Sequence, residues 1–383
     1  MFDKVLDRRG TGCFKYDALK VMYGRDDLIP LWVADMDFAV AEEISSALAN
    51  RLKHPVFGYN FPNAEFHEVI RNWELDRYLW DTSSQRAIST PSLMTALAIS
   101  ILSQTNPGDK ILIQTPVYPP FHSSVKEHGR YLLTNPLLPF NGHYEVDWTD
   151  FEAKAAQAKM FILCNPHNPV GKVFSRDELA RMHDICKRYG LLIFSDEIHA
   201  DIVYSPHKHV PIATLGADIV ITGVSPAKSF NLAGMATAMM FAPDNHIADA
   251  LEKLNENLHT FMGNSFGITA FAAAYGKAGS WLDDLVLYLK GNRDYLAEYI
   301  ASELPKLQMA DCEGTFLAWL DCRELEMADA DLMDFFTNKA RVALNPGTAF
   351  GIQGSGFVRV NFACPRTTLQ TALTRINDAL KDR

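Results

Sequence analysis

Four short apolar runs end in side chains that can do chemistry. Ile111-Leu112-Ile113 leads into Thr115-Pro116-Val117-Tyr118, and Met160-Phe161-Ile162-Leu163 leads into Cys164-Asn165-Pro166-His167-Asn168-Pro169-Val170-Gly171. Leu191-Leu192-Ile193-Phe194 ends on Ser195-Asp196-Glu197, and Ile219-Val220-Ile221 leads through Gly223 to Ser225-Pro226-Ala227-Lys228. If these runs are neighbouring parallel strands, an aromatic ring, an amide, a carboxylate and an amine converge at the carboxyl ends of a sheet, where open α/β sheets bind ligands. A carboxylate at the end of a buried strand is costly to desolvate and requires a cation or hydrogen-bond donors.

Two readings meet that requirement. Asp196 pairs with Lys228 as a structural ion pair, or Asp196 faces a pyridinium nitrogen while Tyr118 stacks on the ring and Lys228 forms a Schiff base. The second set is the protein's contribution to a pyridoxal 5'-phosphate site. A phosphate also needs amides and hydroxyls. Ser92-Leu93-Met94 opens a helix predicted over 95–103, so its free amides and the positive helix end face an anion, and Ser225 adds a hydroxyl. Each of these residues also has a plainer role: Ser92 as an ordinary helix cap, Tyr118 capping the helix after it, Tyr59 as packing, His199 as a satisfied buried polar group and Arg359 as a surface ion pair.

The elements that must position these groups follow from periodicity. Helical spacing covers 41–53, 63–80 and 175–189, the last opening with Ser175 and Glu178 in a capping box. Strand-length runs lie at 110–114, 131–134, 159–163, 191–195 and 218–222. This alternation predicts an α/β fold: a mostly parallel central sheet with helices on both faces. Toward the carboxyl end a helix over 281–304, strands at 315–320, 342–344 and 357–362, and a helix over 367–381 predict a smaller α+β domain. The opening segment lacks a core of its own and is expected to pack there.

At 383 residues and 48% hydrophobic, the chain can bury a large core without disulfides or a structural metal. Its 36 basic against 46 acidic residues give −10, which argues against nucleic acid as a partner. The longest apolar run, 235–242, is far below the ~20 residues of a membrane span, and residues 1–10 lack the apolar core of a signal peptide. A cytoplasmic protein with no membrane partner is expected. The six cysteines fit no metal or redox spacing, no metal site is expected, and His207-Lys208-His209 reads as a solvated loop.

Several runs carry a family resemblance. Ser225-Pro226-Ala227-Lys228-Ser229-Phe230-Asn231-Leu232-Ala233-Gly234 resembles the Schiff-base lysine motif of the aspartate-aminotransferase-like superfamily, fold type I of the pyridoxal-phosphate enzymes, and Asn165–Gly171 looks like its N-P-x-N-P-x-G motif. Ser195-Asp196-Glu197-Ile198-His199-Ala200-Asp201 and Trp32-Val33-Ala34-Asp35-Met36-Asp37-Phe38 are similar to a narrower branch, the bacterial cystathionine or cysteine-S-conjugate β-lyases of the MalY/PatB type.

The resemblance implies residue roles. Lys228 carries the Schiff base, Asp196 partners the ring nitrogen, Tyr118 stacks on the ring, and Asn168 and His199 flank its phenolic oxygen. Leu93, Met94 and Ser225 hold the phosphate, with Ser92 standing where many relatives have glycine. Tyr59 reaches the phosphate from the neighbouring subunit of a homodimer, and Arg359 grips the α-carboxylate of a small amino-acid substrate. The implied reaction is removal of the Cα proton followed by β-elimination to thiol, pyruvate and ammonia. A class I/II aminotransferase and a cofactor-binding regulatory protein with weak lyase activity are the alternatives. Ala236 occupies a position where aminotransferases often place a phosphate-binding arginine. A second amino-acid end on the substrate would need its own ligand, for which Asp35, Asp37 and Arg366 are candidates. The motif order divides the chain into a large cofactor domain over 46–279 and a small domain built from 1–45 and 280–383.

Overall fold

The computed structural model describes residues 1–243 and 245–382. In chain order its strands are β1 (Ile29–Pro30), β2 (Gln85–Thr90), β3 (Lys110–Thr115), β4 (Tyr131–Phe140), β5 (His143–Val146), β6 (Met160–Cys164) and β7 (Leu192–Asp196). They continue with β8 (Val220–Val224), β9 (Ala238–Pro243), β10 (Gln308–Met309), β11 (Leu317–Asp321), β12 (Val342–Ala343), β13 (Asn345–Pro346) and β14 (Phe357–Asn361). Eight of them form one sheet in the order β2-β9-β8-β7-β6-β3-β4-β5. Its centre, β8 to β4, is parallel; β9 on one side and β5 on the other run against it, and β2, antiparallel to β9, runs with the centre.

Burial explains the composition of these strands. Every residue of β6, β8 and β9 is buried, as expected of strands covered by helices on both faces. One face packs Leu97, Phe121, Val125 and Leu251; the other packs Phe151, Phe161, Leu179, Met182 and Phe241. The helix Arg176–Tyr189 has the anticipated capping box and ends on Gly190 at φ 70°, a left-handed position that glycine adopts at little cost. No helix among the described residues is long and apolar enough to cross a membrane.

The second sheet, β10-β11-β14-β13, belongs to the carboxyl-terminal part. The opening segment does pack against that part: Phe2 stacks edge-on against Trp281 of the long helix Gly279–Glu303, and Leu19, Leu28 and Trp32 share a cluster with Ala343. The run at 342–344 does not join the small sheet; β12 instead pairs in parallel with β1. Three large-sheet strands, β2, β5 and β9, escaped the pattern. β2 is mostly polar and only partly buried, while β9 is buried throughout and so shows no alternation.

Trp319 of β11 ties the small sheet to the large one. It stacks on Phe357 with ring centroids 5.2 Å apart, donates to the Tyr144 hydroxyl of β5 at 3.1 Å, and lies opposite Arg359 in the ladder. Replacing this buried ring, Trp319→Ala, is expected to cost about 3–5 kcal/mol, read as a lowered urea midpoint.

Candidate functional site

From the adjacent pair β3 and β6 the chain works outward in opposite directions, through β4 to one side and through β7 and β8 to the other. A crevice opens outside the strand ends at such a reversal. Here it is a cavity of about 290 Å³, lined among others by Tyr118, Asn168, Asp196, His199, Lys228 and Arg359. Tyr118 follows β3, Asn168 follows β6, Asp196 ends β7 and Lys228 follows β8, so the four strand ends meet. Ser92, Leu93, Met94, Ser225 and Ala236 line the same cavity.

The loop after β6 is fixed from three directions. His167 Nε2 lies 2.8 Å from the Pro116 carbonyl beside β3. Asn168 Oδ1 accepts from Arg359 Nη1 at 3.0 Å. Gly171, at φ 75°, packs so closely on Cys312 that an added Cβ would sit 3.0 Å from its Cα, and its carbonyl accepts from the Glu313 and Gly314 amides. Both the positive φ and the close approach demand glycine.

Arg359 projects from β14 of the small domain. Its Nη2 donates to the Trp32 carbonyl at 2.8 Å and to Asn345 Oδ1 at 2.7 Å, leaving Nε buried without a partner. On the opposite wall the helix Leu93–Gln104 starts with Ser92 as its cap, the Ser92 hydroxyl accepting from the Thr95 amide at 3.1 Å. The Leu93 and Met94 amides occupy the first turn, where intrahelical partners are lacking. Leu93 approaches β8 closely because Gly223 lacks a Cβ, which would lie 2.7 Å from Leu93 Cδ2. Ser225 Oγ donates to the Thr237 carbonyl at 2.9 Å and accepts from the Ala227 amide. Its hydroxyl proton is therefore committed within the loop.

The structural ion pair does not form: among the described residues no salt bridge joins Asp196 and Lys228. Asp196 Oδ1 accepts from the Ile198 amide at 3.1 Å, whereas Lys228 Nζ donates to the Ala34 carbonyl at 2.7 Å. Burial pushes the Asp196 carboxyl up to about 6, against the pull of that amide and of Lys228. Burial, then the Arg359 charge, bring the Lys228 amine down to about 8. Burial beside Lys228 and Arg359 holds His199 well below the usual imidazole range, so it is neutral, and its Nδ1 has no partner.

Not every expected residue joins the cavity. Tyr59 is 94% exposed and absent from the lining. Asp35, Asp37 and Arg366 do not line it either: the two carboxylates pair with Arg8 and Lys15, and Arg366 bonds Asn292 and lies over Tyr295. His209 is not solvated. It is buried with Nε2 2.7 Å from Glu197 Oε2, because Glu197, next to Asp196 at the strand end, needs a partner of its own. Sequence reasoning missed Ala34, which contributes only a backbone carbonyl and leaves no side-chain signal.

The family model described as aminotransferase class I and II matches residues 26–376. Cystathionine beta-lyase PatB of Bacillus subtilis is 39% identical over 99% of each chain. A pyridoxal-phosphate-bound putative aminotransferase from Clostridium difficile superposes with a TM-score of 0.97 at 39% identity, covering 99% of each chain. Cystalysin of Treponema denticola, whose structure contains pyridoxal 5'-phosphate, has a TM-score of 0.95 at 31% identity, covering 100% of this chain and 99% of its own.

The charges around Lys228 make a testable statement. Competitive acetylation of the full-length, cofactor-free chain against pH should give a Lys228 midpoint near 8, as its lowered value requires. Because Arg359 is the largest charge lowering it, Arg359→Ala should move the midpoint upward; a downward shift would contradict the arrangement.

Proposed function

The chain belongs to the aminotransferase class I and II family, and from that premise we propose that it is a pyridoxal 5'-phosphate-dependent carbon–sulfur β-lyase. Its substrate is cystathionine or a related cysteine S-conjugate, which with one water yields thiol, pyruvate and ammonia. The observation that carries the reading is the convergence of amine, carboxylate, ring, amide and guanidinium in one cavity, on a chain alignable over 99% of its length with a cystathionine β-lyase.

The residues fit the cofactor. A buried carboxylate with one amide donor and a raised value suits a cationic ring nitrogen, which would bring it back down. The unpartnered His199 Nδ1 and the Asn168 side-chain amide are available to a phenolic oxygen. The Leu93 and Met94 amides at the helix start suit a phosphate, and Tyr118 borders the ring's place. With Ala236 where arginine often stands, dipoles rather than a second fixed charge hold that phosphate. When bound, the cofactor supplies an electron sink for the pair left by a broken Cα bond.

The chain's own groups do the rest. Arg359 offers its fixed charge and the second Nη1 hydrogen to the α-carboxylate, and a two-pronged contact requires Nη2 to release the Trp32 carbonyl or Asn345. Lys228 Nζ takes the Cα proton; with a value near 8, roughly a tenth of it is neutral at pH 7. The apolar lining from Val33, Leu93 and Ile198 excludes water from that transfer. A sulfur at Cβ then leaves as thiolate.

Tyr59 stands in an exposed loop with Val56, Phe57 and Phe61, all more than half exposed. We place a second copy of the chain over that apolar loop, so that Tyr59 reaches its partner's phosphate in a homodimer. The division into 46–279 and 1–45 with 280–383 frames the crevice, the helix Glu42–Leu52 joining the two parts. Six free thiols support a cytoplasmic enzyme.

Transamination is the second reading, favoured by the likeness to the Clostridium difficile protein. Incubating the holoenzyme with cystathionine or an S-alkylcysteine and no keto acid separates them: pyruvate and thiol in equal amounts are expected, and an absolute need for a keto acid would reverse the assignment. Borohydride reduction followed by peptide mass spectrometry should locate the cofactor on Lys228.

A further inference from the structure

The segment 33–37 is a strap that lines the cavity through Val33 and Ala34, and it is gripped by neighbours of the two site cations. Asn231, three residues after Lys228, accepts from the Met36 amide at 3.0 Å and donates to the Met36 and Phe38 carbonyls at 2.9 and 3.0 Å. Asn361, two residues after Arg359, donates to the Val33 and Asp35 carbonyls, both at 2.6 Å. Those two carbonyls flank Ala34, whose own carbonyl accepts from Lys228 Nζ at 2.7 Å. Outside the strap, Arg8 and the fully buried Lys15 bind Asp35 and Asp37. With the Asp37 amide donating to the Ala363 carbonyl at 2.9 Å, a backbone group of every residue from 33 to 37 is held.

We propose that Asn231 and Asn361 are positioning residues: they hold the strap so that the Ala34 carbonyl fixes the direction of the Lys228 amine during proton transfer at Cα. The geometry gives the reason. Donating one N–H to the Ala34 carbonyl occupies one of the three staggered positions on the amine nitrogen, so its lone pair is confined to the other two. A long, flexible lysine otherwise samples several rotamers, and misplacement by about 1 Å can cost on the order of a hundredfold in rate. The carbonyl also favours the ammonium that forms when the proton arrives, because hydrogen bonds from a charged donor are stronger. The charged groups facing the amine are Arg359, which lowers it, and Asp35 and Asp196, which raise it, with neutral His199 beside them. Asp35 belongs to the strap, so releasing either asparagine moves its carboxylate together with the Ala34 carbonyl, and both changes lower the amine.

The kinetic part rests on Lys228 acting as the base; the titration part does not. Asn231 has φ 57°, so Asn231→Gly removes its grip while keeping the backbone conformation. Asn361→Ser does the same from another element, so loss of folding in one variant leaves the other informative. In full-length chain without cofactor, each variant should lower the Lys228 acetylation midpoint by about half a pH unit or more, because the Ala34 carbonyl and the Asp35 carboxylate, which both favour the ammonium, have moved. In holoenzyme each should reduce kcat about tenfold or more with KM within about threefold, and raise the α-deuterium isotope effect. Since both act through one strap, the double variant should lose little beyond the worse single variant. Unmoved midpoints in both variants, a loss confined to KM, or strictly additive losses would overturn the proposal. The midpoints require neither substrate nor cofactor, so they stand or fall separately from the choice between elimination and transamination.

Discussion

Two cations placed in one buried space repel each other, and the softer one gives way. Arg359 and Lys228 are that pair. The guanidinium is delocalised and weakly hydrated, so burial that lowers it to about 10 still leaves it charged at neutral pH. The ammonium is a compact charge that gives up its proton more readily, and Arg359 is the largest charge pressing on it. One crevice thereby obtains a permanent positive charge to hold an anion and an amine poised to be neutral. Asp196 does not cancel the arrangement by pairing with Lys228; with its oxygen on the Ile198 amide it stays available to a different cation. The cavity is locally cationic within a chain of net charge −10.

Strand order does the positioning. Because β3 and β6 are neighbours, the loops after them face each other, and the loop after β6 reaches the small domain as well. It touches β3's loop through His167, the small domain's strand β14 through Asn168, and Cys312 through Gly171. The loop is thus a mechanical bridge between the two sheets, and Trp319 is a second one. Rigid contacts on both sides let side chains from distant parts of the sequence hold a geometry that none of them could hold alone.

Much of this was legible in the sequence because strand-end chemistry is local. Asp196, Asn168, Tyr118 and Lys228 each follow an apolar run of strand length, so topology alone brings them together. Arg359 was legible through its strand. What failed to show had physical causes. β9 lacks alternation because both of its faces are covered, and β2 is too polar to stand out. His209 sits among prolines in a stretch that reads as loop, yet it answers a buried carboxylate twelve residues earlier. Asp35 and Asp37 looked like ligands for a substrate, but their partners, Arg8 and Lys15, precede them in the chain, and pairing between loop residues has no periodicity. Ala34 acts through its backbone, which every residue possesses.

The pairing of β1 with β12 has a consequence for how the protein comes into being. The first of these strands leaves the ribosome roughly 300 residues before the second, which at about 5–20 residues per second is a wait of about 15 to 60 seconds. Throughout that interval Leu19, Leu28 and Trp32 lack the Ala343 side of their cluster. The strands of the large sheet all lie between Gln85 and Pro243 and are synthesised within that interval. The residues of the crevice floor, Asp196 and Lys228, are therefore made well before Arg359 on β14, and a chain cut short near its carboxyl end would have the lysine and the carboxylate without the guanidinium.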